Sequence, residues 1–353
     1  MYYFCVMNQN EIFINRCLQL AKKGLPAAMP NPSVGAVLVL NNKIIGEGYT
    51  AAYGGNHAEV NAINAVKDKS ILAKCTLYVS LEPCSHYGKT PPCADLIIKY
   101  QIKKVVIGTL DSNKKVAGAG VQKLINAGIL VEIGVLEQDC YNLNKRFFTY
   151  HNKKRPFIVL KWAESFDGFI APKDQQPLHS FAISNEISRQ LVHKWRSEEQ
   201  AILVGTTTVL QDNPKLDVRS WVGKNPVRIV LDPSGKIDHM FYVKDQSIKT
   251  IIFTEQKNTA PAENIMYENL LFDKNLPASI CAILYNYEIQ SVLIEGGTKT
   301  LHTFIDVNLW DEARVFKTDQ LLIDGVKAPK IKLHPFTKTI ILNDELYIFS
   351  NND

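Results

Sequence analysis

The stretch that decides the reading is His57-Ala58-Glu59, followed by Glu82-Pro83-Cys84-Ser85-His86-Tyr87-Gly88-Lys89-Thr90-Pro91-Pro92-Cys93. One imidazole and two thiols can give a tetrahedral zinc ion three protein ligands and leave the fourth position to water, as in catalytic rather than closed structural sites. Zinc lowers the pKa of a bound water to about 7, so hydroxide becomes available at neutral pH. His57, Cys84 and Cys93 are the candidate ligands. Glu59 need not touch the metal: a carboxylate beside the water can take its proton and later deliver it to a departing amine. Residues two apart diverge in mid-helix, so His57 and Glu59 converge only at a helix entry, which the polar lead-in Gly54-Gly55-Asn56 suggests. Pro91-Pro92 places Cys93 where a helix should begin, and a helix N-terminus favours a thiolate. His86 is an alternative fourth ligand, which would close the site. Any one of these residues alone reads as ordinary; the combination, in order and flanked by glycine and proline, points to a metal.

Around this stretch the chain alternates helix and strand. Helical patterns run Glu11 to Lys22, His57 to Val66 (with Val60, Ile63 and Val66 inward), Cys93 to Tyr100 and Gly120 to Ala127. Strand patterns run Val34 to Leu40, from Lys43 to Gly46, Thr76 to Val79, Lys104 to Ile107 and Leu130 to Ile133. Such alternation implies a layered α/β domain with helices on both sheet faces. His151-Asn152-Lys153-Lys154-Arg155 reads as a solvated linker, which puts the domain boundary near 150–156 and the domains at 7–150 and 156–350. Beyond it, strands are expected at Phe157 to Leu160, Ala201 to Val204, Val227 to Leu231, Thr250 to Phe253, Ser291 to Ile294 and Glu312 to Phe316. Helices are expected from Asn185 to Glu199 and from Lys299 to Asp306. The second half is again α/β, and no internal repeat is visible.

A chain of 353 residues with 46% hydrophobic and 21% charged residues suits two globular domains. The net charge of +5 carries no dense Lys/Arg block, which fits small anionic ligands better than nucleic acid. Seven cysteines, an odd and irregular set without a secretory leader, argue against a disulfide framework and for a reducing cytoplasm. No apolar run reaches the length of a membrane span, and Met7 competes with Met1 as the start.

The second half offers no GxGxxG fingerprint. It offers strand Ser291 to Ile294, then Glu295-Gly296-Gly297-Thr298, then a helix. That turn can admit a pyrophosphate to free N–H groups at a helix start, or it is a plain strand-to-helix turn. Arg196 lies at the polar end of a helix whose expected inward face is Ile187, Leu191 and Trp195. Arg196 and Arg219 are candidates for a substrate phosphate, since guanidinium forks match its geometry, and ordinary surface charge is the alternative.

Zinc deaminases of nucleobases carry H-x-E followed by P-C-x-x-C. Here the second element is C-x8-C, and that long inter-cysteine loop resembles the deaminase half of the bifunctional riboflavin-biosynthesis deaminase–reductase family. Asn31-Pro32-Ser33-Val34-Gly35 and Val116-Ala117-Gly118-Ala119-Gly120 resemble its motifs too. So do Leu160-Lys161-Trp162-Ala163-Glu164-Ser165-Phe166-Asp167-Gly168, the stretch Gly205 to Pro214, Leu216-Asp217-Val218-Arg219 and Ile294-Glu295-Gly296-Gly297. The resemblance implies an N-terminal cytidine-deaminase-like α/β/α layered domain and a C-terminal dihydrofolate-reductase-like α/β domain. It implies zinc on His57, Cys84 and Cys93, proton shuttling by Glu59, and substrate contacts from Lys89 and Asn31. For the reductase it implies substrate contacts from Ser180, Arg196, Leu216, Arg219 and Glu295. NADPH contacts are implied for Ala163, Ala182 (where family members can carry a tryptophan), Thr208, Asp212, Ser234 and the run Gly297, Thr298, Lys299, Thr300, Leu301, His302 and Thr303. The implied reactions are hydrolytic deamination of a diaminopyrimidinone bearing a ribosylamino 5-phosphate, then hydride reduction of the ribosyl group to ribityl. A homo-oligomer is the default expectation. A nucleic-acid-editing deaminase would need a basic groove, and a zinc-stabilised scaffold would have no use for Glu59.

Overall fold

Asn8 starts the first helix with a reciprocal cap: its side chain accepts the Glu11 N–H while the Glu11 carboxylate accepts the Asn8 N–H. A computed structural model describes residues 8–87, 91–111, 118–173, 178, 181–257 and 261–351. Its contacts divide between one unit ending at Lys153 and a second beginning at Lys154.

The first unit runs α1 (Gln9–Gly24), β1 (Gly35–Leu40), β2 (Lys43–Tyr49), α2 (Ala58–Ala65), β3 (Thr76–Leu81), α3 (Cys93–Lys99), β4 (Lys104–Thr109), α4 (Ala119–Asn126), β5 (Leu130–Ile133), α5 (Glu137–Leu143) and α6 (Lys145–Lys153). The sheet order is β2-β1-β3-β4-β5, antiparallel over the first three strands and parallel over the last three. One sheet face packs on α2, α3 and α4 through Leu38, Leu77, Val79, Ile97, Val105 and Leu124. The other packs on α1 and α5 through Ile14, Val37, Tyr78, Val106 and Cys140. This is the expected three-layered, cytidine-deaminase-like arrangement.

The second unit runs β6 (Phe157–Glu164), β7 (Phe169–Pro172), α7 (Glu186–Glu198), β8 (Ala201–Gly205), α8 (Thr206–Asp212), β9 (Val227–Leu231), β10 (Thr250–Thr254), β11 (Ile265–Asn269), α9 (Leu276–Asn286), β12 (Ser291–Ile294), α10 (Thr298–Ile305), β13 (Glu312–Lys317), β14 (Gly325–Lys327), β15 (Thr337–Ile341) and β16 (Asp344–Ser350). Its main sheet has the order β11-β10-β9-β8-β12-β6-β13-β16-β15. Strands β11 to β13 in that order are parallel, and β16 and β15 add antiparallel. Residues such as Val159, Leu203, Val230, Ile252 and Leu293 are buried because helices cover parallel strands on both faces. This is the dihydrofolate-reductase-like α/β half.

Two expectations need correction. Of the stretch read as a solvated linker, residues 151–153 are the last turn of α6, which continues to Lys153, and only Lys154 and Arg155 lie beyond it; Phe148, Thr149 and Tyr150 are buried and hold that helix on the first unit. The inward face of α7 is also rotated by one position. Ser188, Val192 and Trp195 are buried, whereas Ile187 is exposed, because the i, i+4, i+7 row that meets the sheet begins one residue later. Six described cysteines are free thiols, and among the described residues no helix is long and apolar enough to cross a membrane.

Candidate active sites

In the first unit the metal constellation closes as its spacing suggested. His57 is the N-cap of α2, with extended backbone, and Glu59 falls in the first turn, so the two side chains share the helix entry. Strand β2 carries this entry very closely: a Cβ on Gly48 would sit 2.3 Å from the Ala58 carbonyl oxygen, so only glycine allows the approach. Cys84 follows the end of β3, and Cys93 opens α3. The Cys93 N–H donates to Cys84 Sγ at 3.3 Å, and the Ala94 N–H donates to the Cys84 carbonyl at 3.1 Å. His57 Nδ1 lies 3.5 Å from Cys84 Sγ and 3.4 Å from Cys93 Sγ. All three ligand atoms lie within 4.8 Å of one another. A tetrahedral zinc with ordinary Zn–N and Zn–S bonds separates nitrogen from sulfur by about 3.6 Å, so this donor set fits zinc in size and in chemistry. His86 is exposed and outside the group, so among the described residues three protein donors gather there, the number a catalytic site needs.

Glu59 is only 3% exposed. Burial pushes its carboxyl up to about 7, helped by the negative charge of Cys84. The Cys84 thiol is drawn down to about 4, chiefly by donation from the Cys93 thiol, with further help from His57. His57 is raised, first by its bond to Cys84. Asn31 is half-buried in the loop between α1 and β1. Tyr53 of the segment leading to His57 donates its N–H to Ala27 of that loop, which ties the Asn31 loop to the metal side of the fold. Lys89 lies outside the described residues.

The second unit holds a cavity of about 1040 Å³ over the C-terminal ends of β6, β8, β9 and β12. Most of the residues expected there line it: Ala163, Ala182, Thr208, Asp212, Ser234, Gly297, Thr298, Lys299, Thr300 and Thr303 on the cofactor side, and Arg196, Leu216, Arg219 and Glu295 on the substrate side. Gly297 donates its N–H to Thr208 Oγ1 at 3.0 Å, which joins the β12–α10 turn to α8. Two residues of the run 297–303 do not line it. Leu301 is wholly buried in the core, and His302 turns outward beside Asp306. The cause is the helical repeat: the first turn of α10, Thr298 to Thr300, opens onto the cavity and Thr303 returns to it one turn later, while Leu301 and His302 between them point elsewhere. Ser180 lies outside the described residues.

Arg196 is engaged differently from its expected role. Its Nε and Nη2 grip the two Glu295 oxygens at 2.9 and 2.8 Å, and Nη1 donates to the Asp217 carbonyl. Its fork therefore orients Glu295 and is not held open for a phosphate. Arg219 is more exposed and donates to Asp217 Oδ1. Burial opposes ionisation of Glu295, but Arg196 and Lys161 outweigh it and hold the carboxyl at about 2. Lys161 was not singled out as a site residue in the sequence. It lines the cavity, and burial lowers its pKa against the pull of Glu295. The available signal was a lysine in the middle of an apolar strand. His193 is the other missed residue; it lines the same wall and bonds the Asp217 carbonyl through Nδ1 at 2.9 Å.

Residues 7–109 match the cytidine and deoxycytidylate deaminase zinc-binding region, and residues 156–322 match the RibD C-terminal domain. The chain is 41% identical over 334 residues to the riboflavin biosynthesis protein RibD of Aquifex aeolicus, spanning 93% of this chain and 92% of that one. It is 39% identical to the RibD protein of Bacillus amyloliquefaciens, over 91% and 87% of the two chains. A solved structure from Thermotoga maritima, a diaminohydroxyphosphoribosylaminopyrimidine deaminase/5-amino-6-(5-phosphoribosylamino)uracil reductase, superposes with a TM-score of 0.86 at 39% identity. It covers 98% of this chain and 99% of its own.

Proposed function

The chain belongs to the RibD family, the bifunctional deaminase–reductases of riboflavin biosynthesis, and on that footing we propose how its own residues divide the work. The deaminase substrate is 2,5-diamino-6-(5-phosphoribosylamino)pyrimidin-4(3H)-one. The reductase substrate is 5-amino-6-(5-phosphoribosylamino)uracil, with NADPH as hydride donor.

His57, Cys84 and Cys93 hold one zinc ion, which when bound supplies a polarised water acidified toward neutral pH. Glu59 takes a proton from the attacking water and returns it to the departing amine. The ring carbon thereby exchanges a C–N bond for a C–O bond, and ammonia leaves. A buried carboxyl in the first turn of α2, next to the metal ligands, is placed to accept and release that proton. Asn31 and Lys89 orient the pyrimidine.

In the second unit Gly297, Thr298, Lys299, Thr300 and Thr303, with Thr208, Asp212, Ser234, Ala163 and Ala182, hold NADPH. Glu295, oriented by Arg196, faces the ribosyl group together with Ser180, Leu216 and Arg219. Hydride transfer to the open-chain imine carbon leaves the nitrogen needing a proton, and Lys161 in the wall of that cavity is the proposed donor. The domains are assigned as 7–150 and 156–350, the chain works in the cytoplasm on small phosphoribosyl pyrimidines, and it assembles as a homo-oligomer.

The observation that carries this reading is the three-donor cluster beside a buried Glu59, in one chain with a cavity built around the Arg196–Glu295 pair. Zinc analysis of the purified chain, with ammonia release and NADPH oxidation followed on the pyrimidine substrate, tests it. One zinc per chain and both activities are expected. A metal-free chain that still released ammonia would end the deaminase assignment, and a chain that oxidised no NADPH would end the reductase one.

A further inference from the structure

Glu82 stands two residues before Cys84 and is 5% exposed. Among the described residues it forms no ion pair with a cation. Its carboxylate instead accepts four backbone N–H groups from a segment about thirty to forty positions further along the chain. Oε1 takes Gly120 at 2.9 Å and Val121 at 3.2 Å; Oε2 takes Asp111 at 3.2 Å and Gly118 at 3.0 Å. Four donors use the whole acceptor capacity of a carboxylate, and three of them belong to the start of α4, whose dipole favours the negative charge.

The same place shows a tight backbone contact. A Cβ on Gly120 would lie 2.1 Å from the Pro83 carbonyl oxygen, so the start of α4 presses on the residue that links Glu82 to Cys84. The Glu82 N–H also continues the sheet by donating to the Thr109 carbonyl at 3.0 Å. On its other side Cys84 is tied to α3 by the Cys93 and Ala94 amides. The sulfur is therefore suspended between two anchors, and the upstream anchor is the Glu82 carboxylate.

We propose that Glu82 is a positioning residue of the metal centre: by binding the amides of Asp111, Gly118, Gly120 and Val121 it fixes where Cys84 stands and so slows the escape of zinc. The inference rests on the zinc reading given above. Partners of metal ligands elsewhere change metal affinity by roughly ten- to a hundred-fold when removed, and that range is expected for Glu82→Gln. A glutamine keeps one acceptor oxygen and turns an NH2 group toward two N–H donors, so two of the four bonds are lost.

The test uses the full-length holoprotein and reads zinc release to a colorimetric chelator. Glu82→Gln should release zinc at least ten times faster than the unaltered chain, and its cobalt-substituted form should show shifted d–d bands. Leu124→Ala, a buried α4 change in the same core, is the control for general loosening and should leave both readouts near those of the unaltered chain. If Glu82→Gln does not fold, Glu82→Asp, which keeps the charge but shortens the reach, should show the same shifts at smaller size. Release and cobalt bands like those of the unaltered chain, or an equal effect from Leu124→Ala, would overturn the proposal. Absence of zinc from the unaltered chain would instead overturn the metal assignment beneath it.

Discussion

Replacing Arg196 with methionine leaves Glu295 as a buried carboxylate without its fork. The two side chains are 12% and 9% exposed, so solvent screens the pair little. Two routes give the magnitude. Removing one partner of a buried ion pair costs about 3–5 kcal/mol. The net lowering of Glu295 from 4.5 to about 2, to which Lys161 contributes beside Arg196, corresponds to about 3 kcal/mol by proton linkage. The sign follows from the direction of the shift: a carboxyl lowered by folding stabilises the fold above its unfolded value near 4.5. That contribution fades as the pH falls toward 2. Arg196→Met should therefore cost about 3 kcal/mol at pH 7, lowering the melting temperature of the second unit by roughly 6–12 °C. The deficit should shrink below pH 4.5. All four tryptophans, Trp162, Trp195, Trp221 and Trp310, lie in the second unit, so tryptophan fluorescence of the intact chain reports that unit alone. The double replacement Arg196→Met with Glu295→Gln removes the orphaned charge and should regain more than half of the loss. A single variant within about 0.5 kcal/mol of the unaltered chain, or a deficit independent of pH, would refute a buried, energetically coupled pair.

Three further outcomes follow from the two sites. Glu59→Gln should keep zinc and lower deamination by about a hundred- to ten-thousand-fold, with NADPH oxidation on the deaminated substrate unchanged; a smaller loss would remove Glu59 as proton carrier. Chelation, or Cys84→Ser, should abolish ammonia release and leave reduction intact, as parallel assays on the two substrates would show. In the reductase cavity Thr208→Val should raise the KM for NADPH by about two- to ten-fold through the lost bond to Gly297, whereas His302→Ala, on the outward face of α10, should leave it within about twofold.

The layered α/β halves and the metal ligands were legible because each left a local signature. Strands such as Gly35–Leu40 and Val227–Leu231 are short apolar runs between turn residues, and the His57, Cys84 and Cys93 spacing is rare enough to be informative as a set. Elements without such a signature escaped. Helix α9 is apolar nearly all round, β15 is mostly exposed, and α8 begins with three threonines, so none shows a clean helical or strand period. Arg196 was visible as a cation at a helix end, but its partner lies 99 positions away, and no local pattern encodes such a pairing.

The amino-acid order by itself determined which donors the deaminase half possesses, that Glu59 shares a helix entry with His57, and that both halves alternate helix and strand, because these depend on residue type and near-neighbour geometry. Tertiary structure alone decided that α7 turns Ser188 inward rather than Ile187, that Leu301 leaves the cavity for the core, and that Arg196 is committed to Glu295. It also decided that four distant amides converge on Glu82. Those outcomes depend on how helices rotate against sheets and on which remote groups burial brings within bonding distance. Such distances are set by packing of the whole unit and not by any segment of it.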